Sequence, residues 1–181
     1  MHLEEKTLSS EQKFDGRIVK LFVDQVELED GRKSTREVIK HPGGVCVLPL
    51  EADGSVLFVR QFRYPHQKVL MEIPAGKLEY GENHRECGLR ELKKETGCTC
   101  DRFDYLGSLI PTPAYCGEVI HMYLARGLNH GEQKLDAGEF LDVIKIPLDK
   151  AIDMVMNNEI EDSKTQIALL KTKLLLEREN G

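Results

Sequence analysis

The chain has no apolar run approaching the roughly 20 residues needed to span a bilayer, and its opening, MHLEEKTLSS, lacks the apolar stretch of a signal peptide. No membrane association and a cytoplasmic location are the expectations. Paired Cys-x-x-Cys spacing is missing as well. The five cysteines, Cys46, Cys87, Cys98, Cys100 and Cys116, are odd in number, so reduced structural thiols are expected over a zinc site or a disulfide framework. Positive charge is short: 25 Lys and Arg face 31 Asp and Glu, a net charge of −6. That balance speaks against nucleic-acid binding, which needs a basic face. An anionic ligand would need cations supplied locally, by a metal or a few arginines. Repeats and low-complexity tracts are also absent.

What is present suits one main domain. A chain of 181 residues can bury a core without disulfides or a structural metal. The first part stands slightly apart: FDGRIVKLFVDQVELEDGRKSTREVIKH reads as short strands with a turn at Asp30-Gly31, giving an N-terminal strand arm over 1–42 before a body over 43–181. GGVCVLPL and GSVLFVRQFR, separated by Asp53-Gly54, read as neighbouring strands of a central sheet. KVLMEIPAG is a short strand stopped by Pro74 and Gly76. From Glu82 to Thr96 the pattern is helical, with Leu89 and Leu92 inward and Gly97 as the stop. FDYLGSLIPTPAY and EVIHMYLAR return to strand, broken by Pro111 and Pro113, and FLDVIKIPL adds another. Two helices follow, roughly Leu148 to Asn157 and from near Ser163, the second with Ile167, Leu170, Leu174 and Leu175 on one face. The class is α/β, helices on a mixed sheet.

The helix carries the first chemistry. Glu91 and Glu95 are four apart, about 40° in angle, so both carboxylates leave one face and can hold a hard divalent cation. Taken alone, the pair is better read as an ordinary solvated helix, since paired charges rarely mean metal. It is not alone. Gly76, Glu82, Arg90-Glu91-Leu92, Glu95 and Gly97-Cys98 follow the pattern G-x5-E-x7-R-E-U-x-E-E-x-G-U, U being bulky and apolar, with six of its seven fixed letters present. Lys94 departs at the first Glu of the E-E pair, and Cys98 fits the last position weakly.

In this the chain resembles the Nudix hydrolases. The resemblance implies an α/β/α sandwich with a mixed sheet, and hydrolysis of a diphosphate joined to another moiety with Mg2+, or Mn2+ in its place. Cations in such a site neutralise phosphate oxygens and lower the pKa of the attacking water. It further implies Glu91 and Glu95 as catalytic metal ligands, the Ala75 carbonyl as another oxygen, and Glu82 as support or a ligand through water. Gly76 and Gly97 are structural. Arg90 orients the helix carboxylates, or pairs with Glu86 one turn back. Cys87 and Gly88 fall where small residues let the helix approach the sheet. Lys94, about 60° from Glu91, is expected to pair with it at the helix surface; contact with a substrate phosphate is the alternative.

Pro113 lies sixteen residues after Gly97. With VRQFRYP, MEIPAGKLE and LDAGEF, this spacing resembles the ADP-ribose pyrophosphatase branch, which implies AMP and ribose 5-phosphate as products and a homodimer with exchanged N-terminal sheets. On that resemblance Arg63 and Arg36 hold phosphate or ribose oxygens, for which a guanidinium fork is suited; plain strand arginines are the alternative. Arg17 and Ile18 sandwich the adenine. Glu118 and Glu72 reach the terminal ribose, unless Glu72 only braces its turn, and Tyr115 flanks the sugar or merely packs. Related enzymes carry glutamates two apart in the acidic loop; here those positions are Ala137 and Glu139. Glu139 is then the remaining catalytic carboxylate and metal ligand, with Asp136 able to substitute from a mobile loop. The six histidines are dispersed and are given no catalytic role. Two other readings stay open: a nucleotide-sugar sensor, because Lys94 and Ala137 both remove acid, and a Nudix hydrolase for another nucleoside diphosphate derivative.

Overall fold

The N-terminal segment folds through alternation and tight turns. The computed structural model describes residues 2–181. Strands β1 (Lys6–Asp15), β2 (Lys20–Glu27) and β3 (Lys33–Lys40) form an antiparallel sheet in that order. The turn between β2 and β3 runs through Asp30 and Gly31, where φ is 82°, a value glycine adopts without strain. This compact unit extends to Gly43 and also takes in Ile110–Val119. The proline loop therefore joins the end of β3: Ile39 N–H donates to Tyr115 O at 2.7 Å, and Gly117 N–H donates to Ile39 O at 3.0 Å.

The second unit comprises Gly44–Leu109 and Ile120–Gly181. Its strands are β4 (Gly44–Leu50), β5 (Ser55–Arg63), β6 (Lys68–Glu72), β7 (Ala75–Lys77), β8 (Thr99–Leu109), β9 (Ile120–Asn129) and β10 (Leu141–Pro147). The sheet order is β10-β5-β4-β9-β8, with β6 on β5 and β7 on β4. β4 and β9 run parallel, while β10 with β5, β5 with β6, β4 with β7 and β8 with β9 are antiparallel, so the sheet is mixed as expected. Helix α1 (His84–Thr96) covers one face; α2 (Leu148–Met156) and α3 (Ser163–Asn180) cover the other.

Strand β4 is buried throughout, and its alternation divides two cores. Val45 and Val47 pack with Leu57, Cys87, Leu92 and Tyr123 on the α1 side. Cys46, Leu48 and Leu50 pack with Phe58, Ile73, Leu124 and Leu169 on the α2 and α3 side. Burial of each large side chain contributes about 1.5–3 kcal/mol before entropy is counted. The result is the α/β/α sandwich.

Local chemistry sets the limits of α1. The Asn83 side chain accepts from Arg85 N–H at 2.8 Å, so the helix begins at His84 and leaves Glu82 in the preceding loop. Gly97, at φ 75°, closes it. A Cβ on Gly88 would lie 2.9 Å from Phe103 and 3.1 Å from Val45, which is why a small residue is needed there. Leu92 is buried, whereas Leu89 is only half-buried.

Two expectations need correction. Gly76 sits within β7 instead of ending a strand. The inner face of α3 is Thr165, Ala168, Leu169 and Thr172, while Leu170 and Leu174 are 38% and 56% exposed. Ile167 and Leu175 pack against the core beneath α3 as expected, while Leu170 and Leu174 turn to the outer side.

Candidate active site

Two carboxylates face inward from α1: Glu91 is 2% exposed and Glu95 is 3% exposed. Buried carboxylates require partners. Glu91 Oε1 accepts from Arg90 Nη1. Its Oε2 is buried 2.7 Å from Lys94 Nζ, in an ion pair. Glu95 Oε2 accepts the Ala75 N–H at 3.1 Å, so the amide of Ala75 is the group that touches Glu95. Burial pushes the Glu95 carboxyl up to about 8, and the charge of Glu91 adds to the rise while the Ala75 amide opposes it.

Gly76 explains how β7 and α1 fit together. A Cβ there would lie 2.4 Å from Glu91 Cδ and 2.5 Å from Cγ, so the Glu91 side chain crosses the strand where only hydrogen leaves room. Arg90 binds Glu82 as well as Glu91, with Nη2 2.9 Å from Glu82 Oε1. Glu82 is held in turn by Glu79 N–H at 2.9 Å. Arg90 thus orients Glu91, and its partner before the helix is Glu82 instead of Glu86.

The acidic loop is fastened to the end of α1. Gln133 Nε2 donates to Glu95 O at 2.6 Å and Lys134 N–H donates to Lys94 O at 3.0 Å, satisfying carbonyls that a helix end leaves open. Gly97 permits this contact, since a Cβ there would be 2.4 Å from Gly131 O. Beyond the anchor, Glu139 N–H donates to Asp136 O at 3.0 Å in a tight turn, and Asp136 N–H donates to Glu139 Oε2 at 3.2 Å. Both acids reach Lys94 Nζ, Asp136 at 3.2 Å and Glu139 at 3.4 Å. The expected pairing of Lys94 with Glu91 is present, enlarged by these two partners. Burial works against the charged ammonium, yet Glu91, Asp136 and Glu139 together hold its pKa above the usual lysine range.

Arg63 on β5 and Glu72 on β6 form a two-pronged pair at 2.6 and 2.7 Å. Glu72 is 2% exposed and also receives Lys164 from α3, which binds Asp162, the N-cap of that helix, at 2.9 Å. Desolvation opposes ionisation of Glu72, but Arg63 and Lys164 prevail and hold its pKa at about 2. Glu72 therefore braces Arg63. Sequence reasoning missed Lys164, which is 92 residues from Glu72 and belongs to no local motif.

The remaining candidates lie in the N-terminal unit. Arg17 and Ile18 are exposed in the turn between β1 and β2. Arg36 Nε donates to Glu5 Oε2 at 2.9 Å and Nη1 donates to Thr35 O at 2.8 Å. Glu118 Oε1 lies 3.5 Å from His41 Nδ1. Pro113 and Tyr115 are in the loop attached to β3, with the Tyr115 ring exposed.

Among the described residues no group of three His, Cys, Asp or Glu side chains is gathered as a finished metal cage. The donors nevertheless fit a hard divalent cation. Glu91 and Glu95 are both buried one turn apart, Glu91 Oε2 is already paired with one cation, Lys94, and burial raises the pKa of Glu95. Mg2+ is commonly held by one or two carboxylates, the remaining positions going to water and substrate phosphate.

Residues 40–168 match the NUDIX domain, and residues 5–39 match the nucleoside diphosphate sugar hydrolase N-terminal domain. The chain belongs to the Nudix family. Among individual proteins, it is 46% identical to the methanol dehydrogenase activator of Bacillus methanolicus, the match spanning 92% of this chain and 91% of that protein. It is 41% identical to the ADP-ribose pyrophosphatase of Bacillus subtilis (strain 168), over 92% and 91%. The crystal structure of an ADP compounds hydrolase shares the fold, with a TM-score of 0.86 over 97% of this chain and 96% of that one, at 19% identity. The likeness read from the box and from Pro113 is borne out by these relatives.

Proposed function

We propose that the chain hydrolyses the diphosphate of ADP-ribose, or of a closely related nucleoside diphosphate sugar, to AMP and ribose 5-phosphate, using Mg2+ with Mn2+ as a substitute. The carrying observation is the pair of buried carboxylates, Glu91 and Glu95, on one face of α1. A bound cation there supplies neutralisation of phosphate oxygens and acidifies water. Glu91, Glu95 and the Ala75 carbonyl would hold it, Arg90 fixes Glu91 through its bridge to Glu82, and Glu139 would take the proton of the attacking water. Arg63, held through Nε and Nη2 by Glu72, offers its remaining Nη N–H groups to phosphate. Arg17, Ile18 and Arg36 serve adenosine and ribose from an arm over 1–42, exchanged between two copies in a homodimer, and Glu118, after the proline loop, serves the terminal ribose. The five free cysteines suit a reducing cytoplasm.

The test is a panel of nucleoside diphosphate derivatives with each metal, followed by product identification. ADP-ribose is expected among the best substrates, and Glu95→Gln should lower kcat by about 100-fold or more, since losing even an outer-shell partner of a metal costs 10–100-fold. Poor turnover of ADP-ribose beside rapid turnover of another sugar would reject the substrate, and full activity of the variant would reject the ligand assignment. The Bacillus methanolicus relative supports a second reading, activation of a methanol dehydrogenase. An unchanged dehydrogenase rate on adding the chain would dismiss it.

A further inference from the structure

We infer that Lys94 is a resident cation of the metal-binding helix, one that takes the place of a divalent ion and ties the loop 131–139 to α1 before any metal arrives. The inference rests on the reading of Glu91 and Glu95 as cation ligands and goes beyond it to the chain's own departure from the family pattern.

A solvated helix lysine is exposed and pairs with one neighbour at i±3 or i±4. Lys94 differs on both counts. Its side chain is only 16% exposed, and its ammonium lies within ion-pair distance of three carboxylates: Glu91 at 2.7 Å, Asp136 at 3.2 Å and Glu139 at 3.4 Å. Glu91 belongs to α1 and the other two to a separate loop, so the ammonium joins two segments. The pattern has glutamate at this position. Exchange of glutamate for lysine alters local charge by two units, the charge of one divalent cation.

The physical consequence concerns the order of assembly. With glutamate at position 94, four carboxylates would face each other and repel until metal bound, leaving the acidic loop to be drawn in by the metal. With lysine, the loop already has a counter-charge, and the backbone anchors from Gln133 and Lys134 at the same end of α1 support it. Lys94 is thus a positioning residue. It sets Glu139 and Asp136 against the helix and lowers the number of divalent ions that the site retains.

Two measurements that need no turnover decide the matter: Mn2+ bound per chain, counted by electron paramagnetic resonance without substrate, and amide hydrogen exchange of residues 131–139 in metal-free protein. Lys94→Glu should bind one more Mn2+ than the native chain at equal free metal, and its metal-free loop should exchange about tenfold faster. Lys94→Met should lose loop protection without gaining Mn2+. Lys94→Arg should restore both native values. Equal Mn2+ counts in the native chain and Lys94→Glu, or equal loop protection in all variants, would overturn the proposal. A native chain that turns over no nucleoside diphosphate sugar rejects the hydrolase reading while leaving both measurements to judge Lys94. Mn2+ binding that survives Glu95→Gln rejects the ligand reading instead.

Discussion

At Gly76 a single hydrogen stands where any side chain would meet Glu91. Gly76→Ala places a methyl group 2.4 Å from the carboxylate carbon, and the helix side chain has to yield because β7 is held by its neighbour β4. Overpacking of this kind costs about 1–3 kcal/mol. The variant is therefore expected to melt earlier and to lose most of its metal-dependent turnover. A variant with native activity and melting temperature would mean that Glu91 is free to move aside. Glu95 makes a prediction about pH. Its folded pKa, about 8, exceeds the ordinary value of 4.5, so the native state keeps a proton that the unfolded chain releases. Stability from that proton is fully present below about pH 4.5 and is lost as pH rises toward 8. Metal-free protein should become less stable across this window, by an amount on the order of a few kcal/mol, and Glu95→Gln should flatten the slope. Denaturant titrations at several pH values measure it. The box spacing made Gly76, Glu91 and Glu95 legible in the sequence, but the reason for Gly76 lies in three dimensions. The partner of Arg90 could not be read from helical angles, because Glu82 precedes the Asn83 cap.

Elements were easier to read than their faces. The buried run of β4, the turns at Gly31 and Gly54 and the Gly97 stop each have a local chemical cause, and each is found where the sequence places it. Helix α3 was misread at Leu170 and Leu174, because hydrophobicity alone does not say which side faces the sheet. Thr165 shows the reason. Its hydroxyl accepts Ile73 N–H at 2.9 Å and donates to Asp162 Oδ2 at 2.6 Å, so a polar side chain is fully satisfied at zero exposure. Thr165→Val keeps the shape and removes both bonds, leaving a buried N–H without an acceptor. The expected loss is about 1–3 kcal/mol. Because Ile73 follows Glu72, whose carboxylate braces Arg63, the same change should raise KM more than it lowers kcat if Arg63 binds substrate. A purely local loss of stability with unchanged kinetics would separate α3 from the site.

The chain divides into two compact units, whereas the sequence reading drew an arm over 1–42 and a body over 43–181 and left the proline loop in the body. Backbone pairing of Tyr115 and Gly117 with Ile39 could not be seen, since parallel pairing between distant segments leaves no spacing to read. Among the described residues, both hydrophobic cores of the larger unit are built from residues from Val45 onward. Burial in those cores drives folding of that unit. A chain starting at Pro42 is accordingly expected to fold, with the helical circular dichroism of α1, α2 and α3 and with Mn2+ bound through Glu91 and Glu95. Removal takes away Arg17, Ile18 and Arg36 and strips loop 110–119 of its β3 partner. Turnover of ADP-ribose should then fall by about 100-fold or more, mostly through KM, because binding made away from the reacting bond is what positions it. Light scattering on the same samples tests the exchanged dimer: the full chain should measure as two copies and the truncated chain as one. A truncated chain that hydrolyses ADP-ribose at the native rate would assign the entire substrate site to the larger unit, and one that fails to fold would show that its two cores do not suffice.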